Sequence, residues 1–228
     1  MSGRVGIVVF PGSNCERDCR RALESLGAQT TFVWHKEVAL PDVDIVVLPG
    51  GFAHGDYLRT GAIARFSPVM SAVRDHADAG GLVIGICNGF QILCEAGLLP
   101  GALRKNSGLK FICRWVGLSV DNNQSPFTAR AIPGQRLRIP INHFEGSWHC
   151  DSDELERVRA NGQVVLRYTA NPNGALDDVA GLTNERGNVF GLMPHPERAC
   201  EPSSGSQDGA VILESMLESV PTREHAHL

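Results

Sequence analysis

The stretch that decides the fold is Gly81-Leu82-Val83-Ile84-Gly85-Ile86-Cys87-Asn88-Gly89-Phe90-Gln91. Its apolar residues Leu82 to Ile86 predict a short buried strand, and a helix-compatible run follows the turn. Cys87 stands between them, with one glycine two residues before it and another two residues after it. This is the strand–turn–helix pattern of a nucleophile elbow, with cysteine in place of serine. We therefore predict a strained turn in which a side chain at Gly85 or Gly89 would crowd its neighbours.

The length and composition are those of an ordinary globular protein. The chain has 228 residues, of which 43% are hydrophobic and 20% are charged. This length suits one α/β domain spanning residues 1–228, with an expected mobile tail at about 220–228. The net charge is −4 and no basic run is present, which argues against nucleic acid or an anionic membrane as the main partner.

The sequence also indicates where in the cell the protein is located. The apolar runs are far too short to cross a bilayer, and the first residues lack the pattern of a secretory signal. The seven cysteines are odd in number and not tightly spaced. This pattern favours free thiols in a reducing compartment over a disulfide framework. The sequence therefore predicts a cytoplasmic protein.

Strands and helices alternate in the first half of the chain, and strands dominate the second half. This order predicts a three-layer α/β fold with a central mixed, mostly parallel sheet. Ser13 or Asn14 is the predicted N-cap of the first helix. The predicted strands are Val5 to Phe10, Gln29 to Trp34, Ile45 to Leu48, Leu82 to Ile86, Phe111 to Val120, Arg136 to Ile141, Val164 to Tyr168 and Val189 to Leu192, and the helices are Cys15 to Leu26, Ser67 to Ala79, Phe90 to Ala96 and Ala210 to Ser219.

Three loops follow the predicted parallel strands. They are Pro11 to Asn14, Pro49 to Gly55 and Cys87 to Gly89. Ligands of such sheets bind outside the carboxyl ends of the strands, so we expect these loops to converge on one site. The glycine-rich connection from Pro49 to Arg59 is longer than a plain connection needs, which indicates a functional loop.

A nucleophilic thiol needs a base, and the best candidate lies late in the chain. Pro194 and Pro196 favour an extended backbone around His195. In an extended segment residues i and i+2 point to the same side, so Glu197 can hold one imidazole nitrogen while the other faces Cys87. We predict that Cys87, His195 and Glu197 form a catalytic triad.

An acyl-transfer reaction also needs hydrogen-bond donors for the tetrahedral oxyanion. The backbone N–H of Asn88, directly after the nucleophile, is one candidate. The turn Gly50-Gly51 after the third strand can offer the second, and we assign it to Gly51. Losing one such donor typically costs about 10²–10³ in rate.

These motifs resemble those of the class I (triad) glutamine amidotransferases. That family carries G-x-C-x-G-x-Q at the nucleophile and a late His-x-Glu, as this chain does from Gly85 to Gln91 and from His195 to Glu197. The resemblance implies a flavodoxin-like core and hydrolysis of glutamine through a γ-glutamyl thioester on the cysteine. It further implies that Gln91 and Phe52 help to hold glutamine, and that this chain needs no cofactor or metal.

Longer stretches narrow the resemblance within the family. They are Val33 to Glu37, Leu48 to Arg59, Asn171 to Gly174 and Gly191 to Arg198. They resemble members that pass ammonia to a separate synthetase subunit, which uses ATP and Mg²⁺ to convert formylglycinamide ribonucleotide in purine biosynthesis. A third, small subunit is expected to bridge the two. In many members the loop at 143–146 reads His-Gly-Glu-Gly, whereas Phe144 stands here in place of the first glycine, so the role of this loop stays open.

Other interpretations remain at this point. The chain could be a glutaminase subunit for another acceptor, such as chorismate or a nucleotide, or a cysteine-elbow α/β hydrolase or redox sensor, or a scaffold without activity. Cys15 and Cys19 have a spacing found at metal sites, but both lie on the apolar face of the first helix, which favours core packing. Asp56 and Arg59 are either surface charges or interface residues. A zinc site is a weaker possibility at His143, His149 and Cys150.

Overall fold

The computed structural model describes residues 3–220. Within this range the strands are β1 (Arg4–Val9), β2 (Gln29–Trp34), β3 (Ile45–Leu48), β4 (Leu82–Ile86), β5 (Ala102–Lys105), β6 (Ile112–Val120), β7 (Arg136–His143), β8 (Glu145–His149), β9 (Val164–Tyr168), β10 (Val179–Thr183) and β11 (Val189–Leu192). The α-helices are α1 (Glu16–Ser25), α2 (Val69–Asp78), α3 (Asn88–Glu95), α4 (Ser152–Ala160) and α5 (Asp208–Glu218).

One sheet of nine strands organises the molecule. Its strand order is β2-β1-β3-β4-β11-β10-β9-β6-β7. The strands from β2 to β11 in this order are mutually parallel, and the remaining four join through antiparallel pairs. This confirms the predicted mixed sheet. A separate two-stranded sheet of β5 and β8 was not predicted.

Within the parallel part of the sheet, the direction in which successive strands are added reverses between β1 and β3. From β1 the chain crosses through α1 to β2, and from β3 it crosses through α2 to β4, on the other side. Because such crossovers are right-handed, α1 and α2 lie on opposite faces of the sheet, which gives the three predicted layers. The reversal between β1 and β3 opens a crevice at the carboxyl ends of the strands, where ligands of such folds bind.

The central strands provide a rigid support for that crevice. All four residues of β3 are buried, as are four of the five residues of β4. Burying each of their large aliphatic side chains stabilises the fold by roughly 1.5–3 kcal/mol. The loops that follow β3 and β4 therefore start from fixed positions.

Some sequence predictions differ from the structure or fall outside it. The predicted N-cap is wrong, because α1 begins after Cys15 and no side chain caps it. The Ser13 hydroxyl instead accepts a hydrogen bond from the N–H of Phe10, at 3.1 Å. The tail at 221–228 lies outside the described residues, and the single domain stays a prediction. Among residues 3–220, no helix is both long and apolar enough to cross a membrane.

Candidate active site

Cys87 occupies the turn between β4 and α3. Its backbone has φ 52° and ψ −104°, a conformation that residues other than glycine rarely adopt. A Cβ added to Gly85 would stand 2.6 Å from the carbonyl carbon of Gly89, and one added to Gly89 would stand 1.9 Å from the carbonyl oxygen of Leu48. Both distances are impossible without rearrangement. The predicted strained elbow and its need for two glycines are confirmed.

His195 and Glu197 form a buried pair. The imidazole Nδ1 lies 2.6 Å from Oε1 of Glu197, and both side chains are almost completely buried. The predicted pairing is confirmed, but the extended segment expected to produce it is wrong. Residues Pro196–Arg198 form a 3₁₀ turn, and His195, directly before it, has non-helical backbone angles with φ −101° and ψ 88°. Non-helical backbone is what a following proline favours.

The elbow and the histidine meet at the backbone of Gly50. A Cβ added there would lie 2.8 Å from Cε1 of His195, 3.5 Å from Cβ of Cys87 and 3.1 Å from Sγ of Cys15. Gly50 thus leaves the space in which these three side chains approach one another. The carboxyl ends of β1, β3 and β4 and the turn after β11 converge as the topology predicts.

The charge of Glu197 controls the protonation of His195. Burial is the largest single effect and lowers the pKa of His195, but the carboxylate of Glu197 together with Cys87 and Cys15 outweighs it. The pKa of His195 is therefore raised well above its ordinary value. Among the described residues, Nε2 of His195 and Oε2 of Glu197 are buried without a hydrogen-bond partner. The site can thus hold an imidazolium beside Cys87.

Two backbone N–H groups are available next to Cys87. Gly51 forms an antiparallel bridge with Ser13, flanked by hydrogen bonds from Phe52 N–H to Gly12 O (2.9 Å) and from Asn14 N–H to Gly50 O (3.4 Å). In this register the N–H of Gly51 points away from Ser13, and Gly51 lines the same cavity as Cys87. The N–H of Asn88 belongs to the first turn of α3, where helical N–H groups have no partner within the helix.

A cavity of about 160 Å³ adjoins the thiol. Phe52 stands at its rim, 47% exposed, and Gln91 lies at its base, 4% exposed. The Gln91 amide already has protein partners, since Oε1 accepts from Nδ2 of Asn88 at 2.9 Å and Nε2 donates to the carbonyl of Glu145. The cavity is lined by Gly51, Phe52, Asp56, Thr60, Cys87, Gln91, Asn142, His143, Phe144 and Glu145.

Two titratable residues of this cavity were not predicted as site residues. Partial burial raises the pKa of Asp56 to about 6, and the neighbouring carboxylate of Glu145 adds to the effect. Burial, with a contribution from His195, lowers the pKa of His143 to about 3, and its Nδ1 lies 3.0 Å from Oδ1 of Asn106. The sequence marked both the loop at 142–148 and the glycine-rich connection that carries Asp56, but it did not indicate that Asp56 and His143 meet at this cavity.

Possible metal ligands lie within the same site. In the described part of the chain, ligand atoms of Cys15, His195 and Glu197 lie within 4.8 Å of one another. Two of these residues belong to the predicted triad, so a metal here would compete with it. The suggested zinc cluster of His143, His149 and Cys150 does not form among the described residues, and Nε2 of His149 lies 3.1 Å from Oγ of Ser147. A more open cleft of about 840 Å³ elsewhere is lined by no residue of the predicted triad.

Comparison with known proteins defines the class. Residues 2–210 match the family model of the CobB/CobQ-like glutamine amidotransferase domain. The chain therefore belongs to this family of glutamine amidotransferases. The family membership agrees with the buried His195–Glu197 pair beside a cysteine elbow.

Individual relatives show which members of the family the chain is similar to. The chain is 53% identical to phosphoribosylformylglycinamidine synthase subunit PurQ of Salinibacter ruber, over 96% of this chain and 98% of that protein. It is 54% identical to the PurQ protein of Prochlorococcus marinus, over 93% and 97%. Among solved structures, it is similar to a chain of PurLQS from Thermotoga maritima, with a TM-score of 0.89 and 47% identity, over 96% and 99%. Another glutamine amidotransferase from Thermotoga maritima, at 18% identity and a TM-score of 0.59 over 96% and 91%, shares the fold.

Proposed function

We propose that this chain is the glutaminase subunit of phosphoribosylformylglycinamidine synthase. It hydrolyses glutamine to glutamate and ammonia, and the ammonia passes to a separate synthetase subunit. That synthetase converts formylglycinamide ribonucleotide to formylglycinamidine ribonucleotide with ATP and Mg²⁺, in the purine (IMP) pathway. The observation that carries the proposal is the buried His195–Glu197 pair next to the strained Cys87 elbow, in a chain more than half identical to PurQ proteins.

The proposed reaction begins with the thiolate of Cys87. Its sulfur attacks the side-chain carbonyl carbon of glutamine, and the carbonyl oxygen becomes an oxyanion. The N–H groups of Gly51 and Asn88 stabilise that charge, which builds up only in the transition state. The imidazolium of His195 gives its proton to the leaving nitrogen, and ammonia departs as the C–N bond breaks. A γ-glutamyl thioester remains on the sulfur.

Water completes the cycle. Neutral His195 takes a proton from water as the oxygen attacks the thioester, and the C–S bond breaks to release glutamate. Glu197 keeps the ring oriented and stabilises its charged form. We propose that Gln91 and Phe52, which line the cavity, contact the substrate glutamine. No step needs a cofactor or metal in this chain.

The assembly and location follow from the same proposal. The relatives are subunits by name, and the structural neighbour is a chain of PurLQS. We propose a cytoplasmic complex in which this chain joins a large synthetase subunit through a small bridging protein. Neither nucleic acid nor a membrane takes part.

The experiment that tests the proposal is reconstitution with the candidate synthetase and bridging subunits. Glutamine, ATP, Mg²⁺ and formylglycinamide ribonucleotide should yield formylglycinamidine ribonucleotide and glutamate in equal amounts. Replacing the synthetase by one that aminates chorismate or a nucleotide should abolish the coupling. Coupling to one of those acceptors instead would favour the alternative of a glutaminase that serves another synthetase.

A further inference from the structure

The segment 51–53, which carries one proposed oxyanion donor, is held from two sides. On the side of β1, the N–H of Phe52 donates to the carbonyl of Gly12 at 2.9 Å. On the side of the elbow, the N–H of Ala53 donates to the side-chain Oδ1 of Asn88, also at 2.9 Å. Asn88 directly follows the nucleophile and is 1% exposed. Its side chain therefore fixes the position of the segment relative to Cys87.

The Asn88 amide can have only one orientation. Because its oxygen accepts from Ala53, its Nδ2 must face the opposite side, where it donates to Oδ1 of Asp56 at 3.1 Å and to Oε1 of Gln91 at 2.9 Å. Gln91 is fixed in turn, since its nitrogen donates to the carbonyl of Glu145. A continuous set of hydrogen bonds thus connects Glu145 of β8 through Gln91 and Asn88 to Asp56 on the loop.

The loop that carries Asp56 is strained. His54, Asp56 and Leu58 have positive φ angles of 55°, 51° and 71°, a region that residues with a side chain avoid. Asp56 accepts a hydrogen bond from Nδ2 of Asn88. Its carboxylate thus links the strained loop to the elbow through Asn88.

The surroundings of Asp56 do not favour a charge. Burial and the carboxylate of Glu145 raise its pKa to about 6, and the hydrogen bond from Asn88 offsets only part of this. No arginine or lysine forms an ion pair with it among the described residues. An ionised carboxylate there costs stability, so the feature of Asp56 that can serve the protein is its hydrogen bond with Asn88.

We propose that Asp56 is a positioning residue for the oxyanion site: it accepts a hydrogen bond from Asn88, whose side chain holds the N–H of Ala53, and so keeps the N–H of Gly51 directed towards Cys87. The inference rests on the proposed glutaminase function, and Asp56 itself touches no reacting atom. Displacing an oxyanion donor by about 1 Å lowers turnover by up to about 10²-fold. Alkylation of a thiol by simple displacement needs no oxyanion donor, so it should not depend on Asp56.

The test compares two variants in the complete complex with synthetase and bridging subunits. Asp56→Gly removes the acceptor but tolerates the positive φ, and Asp56→Asn keeps an acceptor oxygen in a residue that also tolerates this conformation. Asp75→Ala, an exposed change near the opposite end of the sheet, is the matched control. We expect Asp56→Gly to lower kcat for glutamine by about 10–10²-fold with KM changed less than about three-fold. Asp56→Asn and the control should stay within about three-fold of wild type.

A second measurement separates positioning from general damage. The rate of alkylation of Cys87 by iodoacetamide should stay within about two-fold of wild type in Asp56→Gly. The double variant Asp56→Gly/Asn88→Ala should lose no more activity than Asn88→Ala alone, because both act through one chain of hydrogen bonds.

Several outcomes would overturn the inference. They are full glutamine turnover in Asp56→Gly, an equal loss of turnover and of iodoacetamide reactivity, or an Asp56→Asn variant as impaired as Asp56→Gly. A wild-type complex that does not hydrolyse glutamine would overturn the proposed function and the inference with it. The two failures are therefore distinguishable.

Discussion

Two aspartates, Asp56 and Asp177, adopt the same left-handed backbone conformation, with φ angles of 51° and 56°. Asp177 is surrounded by positive charge. Arg159 donates to it at 2.9 and 2.7 Å, and Arg167 lies 2.7 Å away. The hydrogen bond from Arg159 is the main reason that the pKa of Asp177 is lowered to about 2. Asp56 has an amide and a second carboxylate as neighbours, and its pKa is raised to about 6.

The difference shows where the fold compensates for strain and where it does not. At Asp177 the ion pairs connect β9 and α4 and offset the cost of the backbone conformation. At the carboxyl ends of the parallel strands, the strained elbow of Cys87 and the strained loop around Asp56 come with buried polar atoms that have no partner, on His195 and Glu197. Uncompensated strain of this kind is expected at functional sites. Changes there should affect activity, and changes around Asp177 should affect stability.

The largest expected effect is at the histidine. His195→Ala removes both the acid for the leaving ammonia and the base for water, so glutamine turnover in the complex should fall by at least about 10²–10⁴-fold. The thermal unfolding temperature should change little, because the variant still folds. Synthesis from an ammonium salt should persist. If glutamine turnover were unimpaired in this variant, a hydrolase or redox mechanism without this pair would be favoured.

A smaller effect is expected at the carboxylate that holds the histidine. Glu197→Gln keeps the shape but removes the charge that raises the pKa of His195. We expect turnover to fall by roughly 10²-fold. The imidazolium will then lose its proton at lower pH, so the alkaline limb of the pH profile of kcat/KM should move to lower pH. An unchanged alkaline limb would show that Glu197 does not control the charge of His195.

At Asp177 we expect a loss of stability and no loss of glutamine turnover. Asp177→Asn should leave glutamine turnover unchanged and lower the free energy of unfolding by roughly 1 kcal/mol, which is about 2–4 °C in the unfolding temperature. The pKa of Asp177 is lowered in the folded state, so its stabilisation is present above the unfolded pKa and is lost only as pH falls towards about 2. The deficit measured by calorimetry should therefore be the same at about pH 7.5 and pH 5. A variant with reduced turnover and normal stability would contradict the comparison.

The smallest expected effect is the change in stability of Asp56→Asn, which has the opposite sign to that of Asp177→Asn. The pKa of Asp56 is raised in the folded state, so the ionised carboxylate destabilises the fold, and this cost disappears as pH falls from about 6 towards the unfolded value. Asp56→Asn should unfold at a slightly higher temperature than wild type at about pH 7.5, and the gain should shrink by about pH 5. Thermal melts at both pH values check this. A loss of stability at neutral pH would mean that the charge of Asp56 stabilises the fold.

The sequence predicted what depends on local pattern. The Cys87 elbow follows from a buried strand and two glycines, and the structure confirms the crowding at Gly85 and Gly89. The His195–Glu197 pair was also predicted, although through an extended segment where the structure has a 3₁₀ turn. A proline fixes its own φ and biases the residue before it, but it does not determine whether the following residues are helical or extended.

The parts that were not predicted lack a hydrophobic period or depend on distant contacts. Helix α4 buries only Val158, so no apolar stripe marks it, although Asp151 caps it by accepting from the N–H of Glu154 at 2.8 Å. The link between Asp56 and Asn88 joins side chains 32 residues apart. Such side-chain contacts depend on how the loops meet in three dimensions, so no spacing in the sequence predicts them.

The most direct test of the central claim is the amide donor used by a Cys87→Ala variant in the reconstituted complex. With glutamine as the donor, synthesis of formylglycinamidine ribonucleotide should disappear, because no thioester can form. With an ammonium salt as the donor, synthesis should continue at the wild-type rate, because the complex with its synthetase is intact. Wild-type synthesis from glutamine in this variant would contradict the assignment of Cys87 as the nucleophile.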